Sequence, residues 1–174
     1  MEIDLGSFVL RPYRSADAGS LRAAADNPKI AANLRDAFPS PYTAADAREF
    51  ITSVVDQDPA QRFAIARDDT VIGGIGLHPQ AAEHRRCAEI GFFLAEPEWG
   101  QGIMTKVVAA IVDYGFATFD LERIYATVFE CNPASRRVLE KAGFDHEGTL
   151  RRAVVKDDRI MDMDMYARLR EAGT

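Results

Sequence analysis

Cysteine is scarce in this chain: two residues in 174, Cys87 and Cys131. That excludes a disulfide framework. Both fall in apolar or strand-like sequence, where a free thiol serves as a small hydrophobe in a reducing, cytoplasmic compartment. Histidine is equally sparse. His78, His84 and His146 are scattered without ligand spacing, so no metal site is expected. Basic residues are outnumbered, 21 Lys and Arg against 27 Asp and Glu, leaving a net charge of −6. Such a balance disfavours a nucleic-acid backbone as ligand, and the pairs Arg85-Arg86, Arg136-Arg137 and Arg151-Arg152 are dispersed. It is compatible with a cationic or amine ligand, and equally with plain solubility. No apolar run approaches the length of a bilayer span. The opening MEIDLGSFVLRPY has no basic segment leading into an apolar one, so neither a membrane association nor a signal peptide is expected. Repeats, low-complexity tracts and linkers are missing as well.

What is present is ordinary globular composition, 47% hydrophobic and 28% charged residues. At this length the whole chain, 1–174, reads as a single domain with one core. Phe8 to Tyr13 reads as a first strand. Ser15 reads as the N-cap of a helix through Ala25, and Asn27-Pro28 starts a short second helix. A proline-rich loop with two aromatics, Leu34 to Thr43, precedes a helix capped by Thr43 and Asp46, with Ala47, Phe50, Ile51, Val54 and Val55 on one face. Gln61–Arg67 and Val71–His78 flank Asp68-Asp69-Thr70 as a hairpin, and Cys87–Ala95 continues the sheet. Arg123–Phe129 is a further strand. Asn132-Pro133 opens a helix that Gly143 stops. Phe144–Lys156 and Arg159–Arg168 close the chain as two strands; in the last, Met161, Met163, Met165 and Ala167 alternate with Asp162, Asp164 and Tyr166, which predicts a solvated acidic face. The pattern is α+β with a mixed, largely antiparallel sheet of about seven strands.

The organising stretch runs from Glu89 to Phe119. An apolar strand, Ile90 to Ala95, meets the turn Glu96-Pro97-Glu98-Trp99, and Gly100-Gln101-Gly102 then opens a helix whose Ile103, Val107, Val108, Ile111 and Val112 recur at helical spacing. A glycine-flanked turn at a helix N-terminus presents several backbone N–H groups to one point, where the helix dipole adds positive potential. Such a place suits a phosphate.

EIGFFL…WGQGIMT resembles the acetyl-CoA motif of the GNAT superfamily of N-acetyltransferases, a Gln/Arg-x-x-Gly-x-Gly/Ala pattern. Here Trp99 stands at the Gln/Arg position and Met104 at the last Gly/Ala. Asn132-Pro133-Ala134-Ser135 followed by Glu140-Lys141-Ala142-Gly143-Phe144 resembles a second block of the same superfamily. The loop Leu34 to Thr43 is similar to a substrate-side loop of its RimJ/RimL-like branch, which acetylates protein N-termini. The likeness covers nearly the whole chain in order and implies the GNAT three-layer α/β/α fold.

It also implies chemistry. The chain would be an acyl-CoA-dependent N-acetyltransferase, moving an acetyl group from acetyl-CoA to a primary amine, a protein N-terminus first of all. A small amine (polyamine, amino acid or aminoglycoside) is the alternative acceptor, and an acyl-CoA-binding regulatory module without turnover is the rival class. Phe93, Leu94 and Ala95 would line the pantetheine arm as an added strand would. Gln101, Gly102, Ile103, Met104 and Thr105 would hold the pyrophosphate, with Arg136 or Arg137 supplying charge and Asn132 positioning the cofactor. Leu139 occupies the place where many relatives carry a tyrosine acid, so the resemblance implies the branch's serine, Ser135, as acid; the competing role is a first-turn helix hydroxyl bonded to backbone. Glu89, a carboxylate in an otherwise apolar strand, is the candidate base; the competing role is a pair with Arg85 or Arg86. Arg35, Asp36, Phe38, Tyr42 and Glu89 would face the acceptor. Monomer and homodimer are both compatible with the sequence.

Overall fold

The computed structural model describes residues 2–171. In chain order the elements are β1 (Ile3–Asp4), β2 (Val9–Pro12), α1 (Ala18–Ala25), α2 (Pro28–Ala31), α3 (Ala44–Val54), β3 (Arg62–Arg67), β4 (Thr70–Pro79), β5 (Cys87–Leu94), α4 (Ile103–Thr118), β6 (Arg123–Phe129), α5 (Pro133–Lys141), β7 (Asp145–Lys156) and β8 (Arg159–Leu169). The strands form one mixed sheet in the order β1-β2-β3-β4-β5-β6-β8-β7. Among them β5 and β6 run parallel, while β1–β2, β2–β3, β3–β4, β6–β8 and β7–β8 are antiparallel. This is the α+β class read from the sequence, with eight strands where about seven were expected. The addition is β1, whose two residues are too few for a period to register.

The chain consists of two compact units, Met1–Gly76 with Phe92–Val107, and Leu77–Gly91 with Val108–Thr174. In the first, Tyr13, Leu21, Ala25, Tyr42, Ala47, Ile51, Val54, Ala64 and Val71 form a core, with Phe38, Phe50 and Phe93 packed on it. The glycine at 74 admits this packing: a Cβ there would sit 2.2 Å from the Tyr13 hydroxyl and 2.9 Å from Cε1 of Phe93. Thr43 caps α3 in a reciprocal box with Asp46, as its spacing predicts. Helix α1 begins at Ala18, not beyond a Ser15 cap. A 3₁₀ turn over Ser15–Asp17 precedes it, because Asp17 is drawn into a buried pair with Arg11 (2.8 Å) and also accepts the Arg14 N–H (2.8 Å). The β3–β4 loop is two residues, Asp68 and Asp69, with φ of 45° and 64°. Positive φ at both positions suits the right-handed twist of a tight hairpin, and aspartate tolerates it.

In the second unit, β6 buries Ile124, Ala126 and Val128 and turns Tyr125, Thr127 and Phe129 to the opposite face. Its ladder with β5 has three pairs, Cys87–Arg123, Ala88–Ile124 and Glu89–Tyr125, whereas its ladder with β8 runs the full length from Arg123 to Phe129. Helix α5 buries a single side chain, Leu139. Its seat on β8 is mainly polar: Arg136 pairs with Asp164 (2.7 Å), the Tyr166 hydroxyl donates to Glu140 (3.0 Å) and Arg168 donates to the Ala142 carbonyl (3.1 Å). The expected solvated acidic face is therefore overturned. Asp164 and Tyr166 are buried alongside Met161 and Ala167, and Met163 and Met165 are half-exposed, since α5 brings the Arg136 guanidinium and the Glu140 carboxylate to that face. The β7–β8 register also shifts twice, between His146 and Gly148 and between Leu150 and Val154, which breaks a uniform alternation. Cys131 lies in an exposed turn, not in a strand, and Cys87 is half-buried. Among the described residues no helix is long and apolar enough to cross a membrane.

Candidate functional site

The turn before α4 is built for close approach to its backbone. Gly100 and Gly102 have φ of +77° and +75°, a region costly for other residues, and a Cβ on either would meet nothing within 4 Å. The first backbone hydrogen bond of α4 is Lys106 N–H to the Gly102 carbonyl (3.4 Å). The amides of its first turn therefore point out of the end of a 16-residue helix. Met104, which at the motif's last small position threatened to crowd the turn, is 6% exposed and faces the core with Ile103. Trp99 closes the turn from the other side, its indole N–H donating to the Leu94 carbonyl (2.7 Å). Gln101 is exposed and donates to the Pro97 carbonyl (3.1 Å). Thr105 is half-buried in the first helical turn.

Two carboxylates precede the turn, and each is matched by a cation of its own unit. Glu96 is held by Lys29 and accepts from the Asn27 amide (2.8 Å), which keeps its carboxyl below the usual range, Lys29 contributing most. Glu98, whose side chain is 14% exposed, pairs with Arg67 at 2.8 Å. With both carboxylates paired, neither Glu96 nor Glu98 sets an unmatched negative charge against an anion at this turn. Neither pair was found from the sequence; their partners lie 31 to 69 residues away.

Along β5 the backbone alternates direction. Ala95 donates its N–H to Ile72 of β4 (2.8 Å), and the Phe93 carbonyl lies against Gly73. Of the three residues expected along a pantetheine arm, Leu94 alone thus turns its N–H away from β4, and Trp99 already takes its carbonyl. Ala95 is committed to the sheet. The Phe93 side chain faces the 34–43 loop, 5.8 Å from Phe38 between ring centroids, and Phe38 lies 5.1 Å from Tyr42. Tyr42 is buried and its hydroxyl is pushed up to about 12 by that burial, so it holds the loop in place as part of the core. Arg35 and Asp36 are exposed on the same loop.

In the second unit, Glu89 accepts a hydrogen bond from the Thr127 hydroxyl at 3.2 Å. Arg86, a partner considered for Glu89, is taken by Asp120 (2.8 Å) and Glu122 (2.7 Å), and Arg85 donates to the Ala82 carbonyl. The face that carries Glu89 includes Gly91, above which a Cβ would meet nothing within 4 Å. Asn132 caps α5 through its side-chain oxygen, which accepts the Ser135 N–H (3.1 Å), and its amide donates to Ser135 Oγ (2.9 Å). That leaves the Ser135 hydroxyl its own proton to donate elsewhere. Arg136, expected to face phosphate, instead turns to Asp164 and the Glu130 carbonyl (3.0 Å). Thr127 was missed. Its signal, the parallel register that sets Glu89 against Tyr125, is a long-range property.

A family profile described as the acetyltransferase (GNAT) domain matches residues 7–145. The chain belongs to the GNAT acetyltransferase family. One GNAT relative, the uncharacterized N-acetyltransferase p20 of Bacillus licheniformis, is 34% identical over 94% of this chain and 93% of its own length. The ribosomal-protein-serine acetyltransferase of Escherichia coli is 32% identical over 63% of this chain and 61% of its own. Against two Bacillus subtilis relatives at 42% identity the chain spans 60% and 56% of their length. Among solved GNAT structures, Mycobacterium smegmatis RimJ in complex with CoA-disulfide superposes with a TM-score of 0.81 at 27% identity, covering 94% of this chain and 82% of RimJ. The family read from the two motif blocks is therefore met.

Proposed function

We propose that residues 1–174 act as one N-acetyltransferase domain that acetylates a primary amine, a protein N-terminus, with acetyl-CoA as donor. The observation that carries the reading is the open, positive-φ glycine turn at the head of α4. A diphosphate fits it: the turn offers outward amides, admits close approach, and its two preceding carboxylates, Glu96 and Glu98, are both paired. Gln101, Gly102, Ile103, Met104 and Thr105 would bind through their backbones, which explains why neither Trp99 nor Met104 spoils the motif. The backbone of Leu94, directed away from β4, is the candidate for strand-like pairing with the amide-containing arm. When bound, the cofactor supplies an acetyl group already activated as a thioester.

The chain's own residues then handle protons. Glu89 is the base, receiving a proton from the incoming ammonium directly or through water, with Thr127 fixing one of its oxygens and the open face above Gly91 leaving room for the acceptor. Ser135 holds a donatable proton at Oγ, aimed by the bond it accepts from Asn132. With Leu139 buried where a tyrosine would otherwise stand, this hydroxyl is the acid of the reading. Arg35, Asp36 and Phe38 form the acceptor-side loop, and Tyr42 supports it from the core. The name of the Escherichia coli relative, an acetyltransferase of a ribosomal-protein serine, supports a polypeptide acceptor. An acidic protein of net charge −6 also suits a cationic amine.

Calorimetric titration of acetyl-CoA into the protein tests the first half; no heat of binding at millimolar cofactor would end it. Thiol release measured across N-terminal peptides and small amines tests the second. Turnover with peptides and none with polyamines or aminoglycosides is expected, and the reverse order would transfer the activity to small molecules.

A further inference from the structure

Ser135 stands on a helix with little apolar anchorage, and that raises the question of what fixes its direction. Helix α5 spans nine residues and buries only Leu139. One buried apolar side chain, with Val138 half-buried beside it, sets the height of a helix above a sheet more firmly than its rotation about its own axis. Rotation is set by where the polar side chains are tied. On β8, Asp164, Tyr166 and Arg168 share one face and meet Arg136, Glu140 and the Ala142 carbonyl in turn. The tie nearest the head of α5 is Arg136, the residue after Ser135. Its guanidinium bridges two elements, donating to the Glu130 carbonyl before the helix and pairing with Asp164 on β8.

Asp164 is equipped to hold that arginine. It is 5% exposed, and its other oxygen accepts from Thr149 (2.6 Å) and lies 3.2 Å from His146 Nε2. Burial by itself would push its pKa up; the Thr149 and His146 contacts and the Arg136 charge outweigh burial and hold the carboxyl below its ordinary value. Three elements thus converge on one ionised group, and only one of its partners, Arg136, is adjacent to the proposed acid.

We propose that Asp164 and Arg136 are positioning residues for Ser135: the pair fixes the rotation of α5, and with it the direction in which Asn132 presents the Ser135 hydroxyl. This rests on the reading of Ser135 as the acid. A rotation of α5 by about 15° moves Oγ, about 4 Å from the helix axis, by about 1 Å, and a misplacement of that size costs up to about a hundredfold in rate.

The variant that tests it is Arg136→Lys, which keeps the positive charge but, on a side chain one bond shorter, withdraws the nitrogen position (Nη2) that reaches Asp164 and the Glu130 carbonyl together. The expected result is a fall in kcat of about tenfold, with the dissociation constant of acetyl-CoA within about threefold of wild type, since the phosphate turn is untouched. In a Ser135→Ala background the same change should cost nothing further. The direct structural readout is the side-chain amide of Asn132 by NMR. Its resonances should move in Arg136→Lys and in Asp164→Asn, and stay in place in Lys141→Ala at the far end of α5. Unmoved Asn132 resonances in Arg136→Lys overturn the proposal, as does an undiminished further loss in the Ser135→Ala background. Should Asp164→Asn fail to fold, Arg136→Lys alone decides the matter. If the resonances move while Ser135→Ala retains full turnover, the positioning stands and the assignment of Ser135 as acid falls.

Discussion

A methyl group added at Gly102 separates phosphate recognition from mere backbone strain. Gly102 sits at φ +75°, where an L side chain costs about 1–2 kcal/mol. A small part of that is returned, because alanine narrows the unfolded ensemble. The net loss of stability for Gly102→Ala is therefore about 1 kcal/mol, which lowers the melting temperature of a chain this size by about 2–4 °C. Nothing of the protein lies within 4 Å of the new Cβ, so no steric penalty adds to it. If a diphosphate approaches these amides, the Cβ stands in its way and lengthens one or two charge-assisted hydrogen bonds, each about 1.5–3 kcal/mol. Affinity for coenzyme A should then fall about 10- to 100-fold. The control is Gly6→Ala: Gly6 has φ +93° and equally open surroundings, but sits before β2, away from the turn in sequence. It should show the same melting shift with no change in affinity. Calorimetry and thermal melts on both variants suffice. Equal melting shifts with wild-type coenzyme A affinity in Gly102→Ala would refute the assignment of the turn.

Further outcomes follow from other contacts. Glu89→Gln should lower turnover about 10²–10⁴-fold at neutral pH and move the pH–rate profile to higher pH, where the amine is already neutral; an unchanged profile removes Glu89 as base. Arg67→Ala leaves the Glu98 carboxylate without its partner in a side chain 14% exposed, and should cost about 1–3 kcal/mol and weaken coenzyme A binding. Adding Glu98→Gln to that variant should restore part of both, which equilibrium unfolding and titration would read. Asp164 binds its proton less readily in the folded state than in the unfolded chain. Its contribution is therefore complete above the ordinary aspartate value, about 3.9, and is lost as pH falls below it. Asp164→Asn should be less stable than wild type at pH 7 and show a shallower acid limb; parallel curves of urea midpoint against pH would contradict that.

Much of the fold was legible because its signals are local. Thr43 with Asp46, Asn132 before Pro133, the stop at Gly143 and the strand Arg123–Phe129 each lie within one element and appear where the residues put them. The glycine turn was legible for the same reason. What stayed hidden depends on register between distant segments. The sequence marks Glu89 as unusual, but only the parallel pairing with Tyr125 brings Thr127 to it. It shows Arg136 beside Ser135 without showing that Asp164 claims the guanidinium. Period-two alternation in β8 predicts which residues share a face, but not which face is covered, and a helix with polar anchors covered Asp164 and Tyr166 where solvent was expected.

The polar seat of α5 has a consequence for how the molecule opens. Apolar burial is what makes segments exchange their amide hydrogens only through global unfolding, and α4, with Val107, Val108, Ile111 and Val112 fully buried, has that protection. Helix α5, buried at Leu139 alone, does not. Its amides should exchange through a local excursion, at a free energy well below that of α4, and the excursion should become easier in acid as Asp164 takes up its proton. The segment proposed to carry the acid should thus detach before α4 does, and an ionised latch, Arg136 with Asp164, is among the ties that hold it shut.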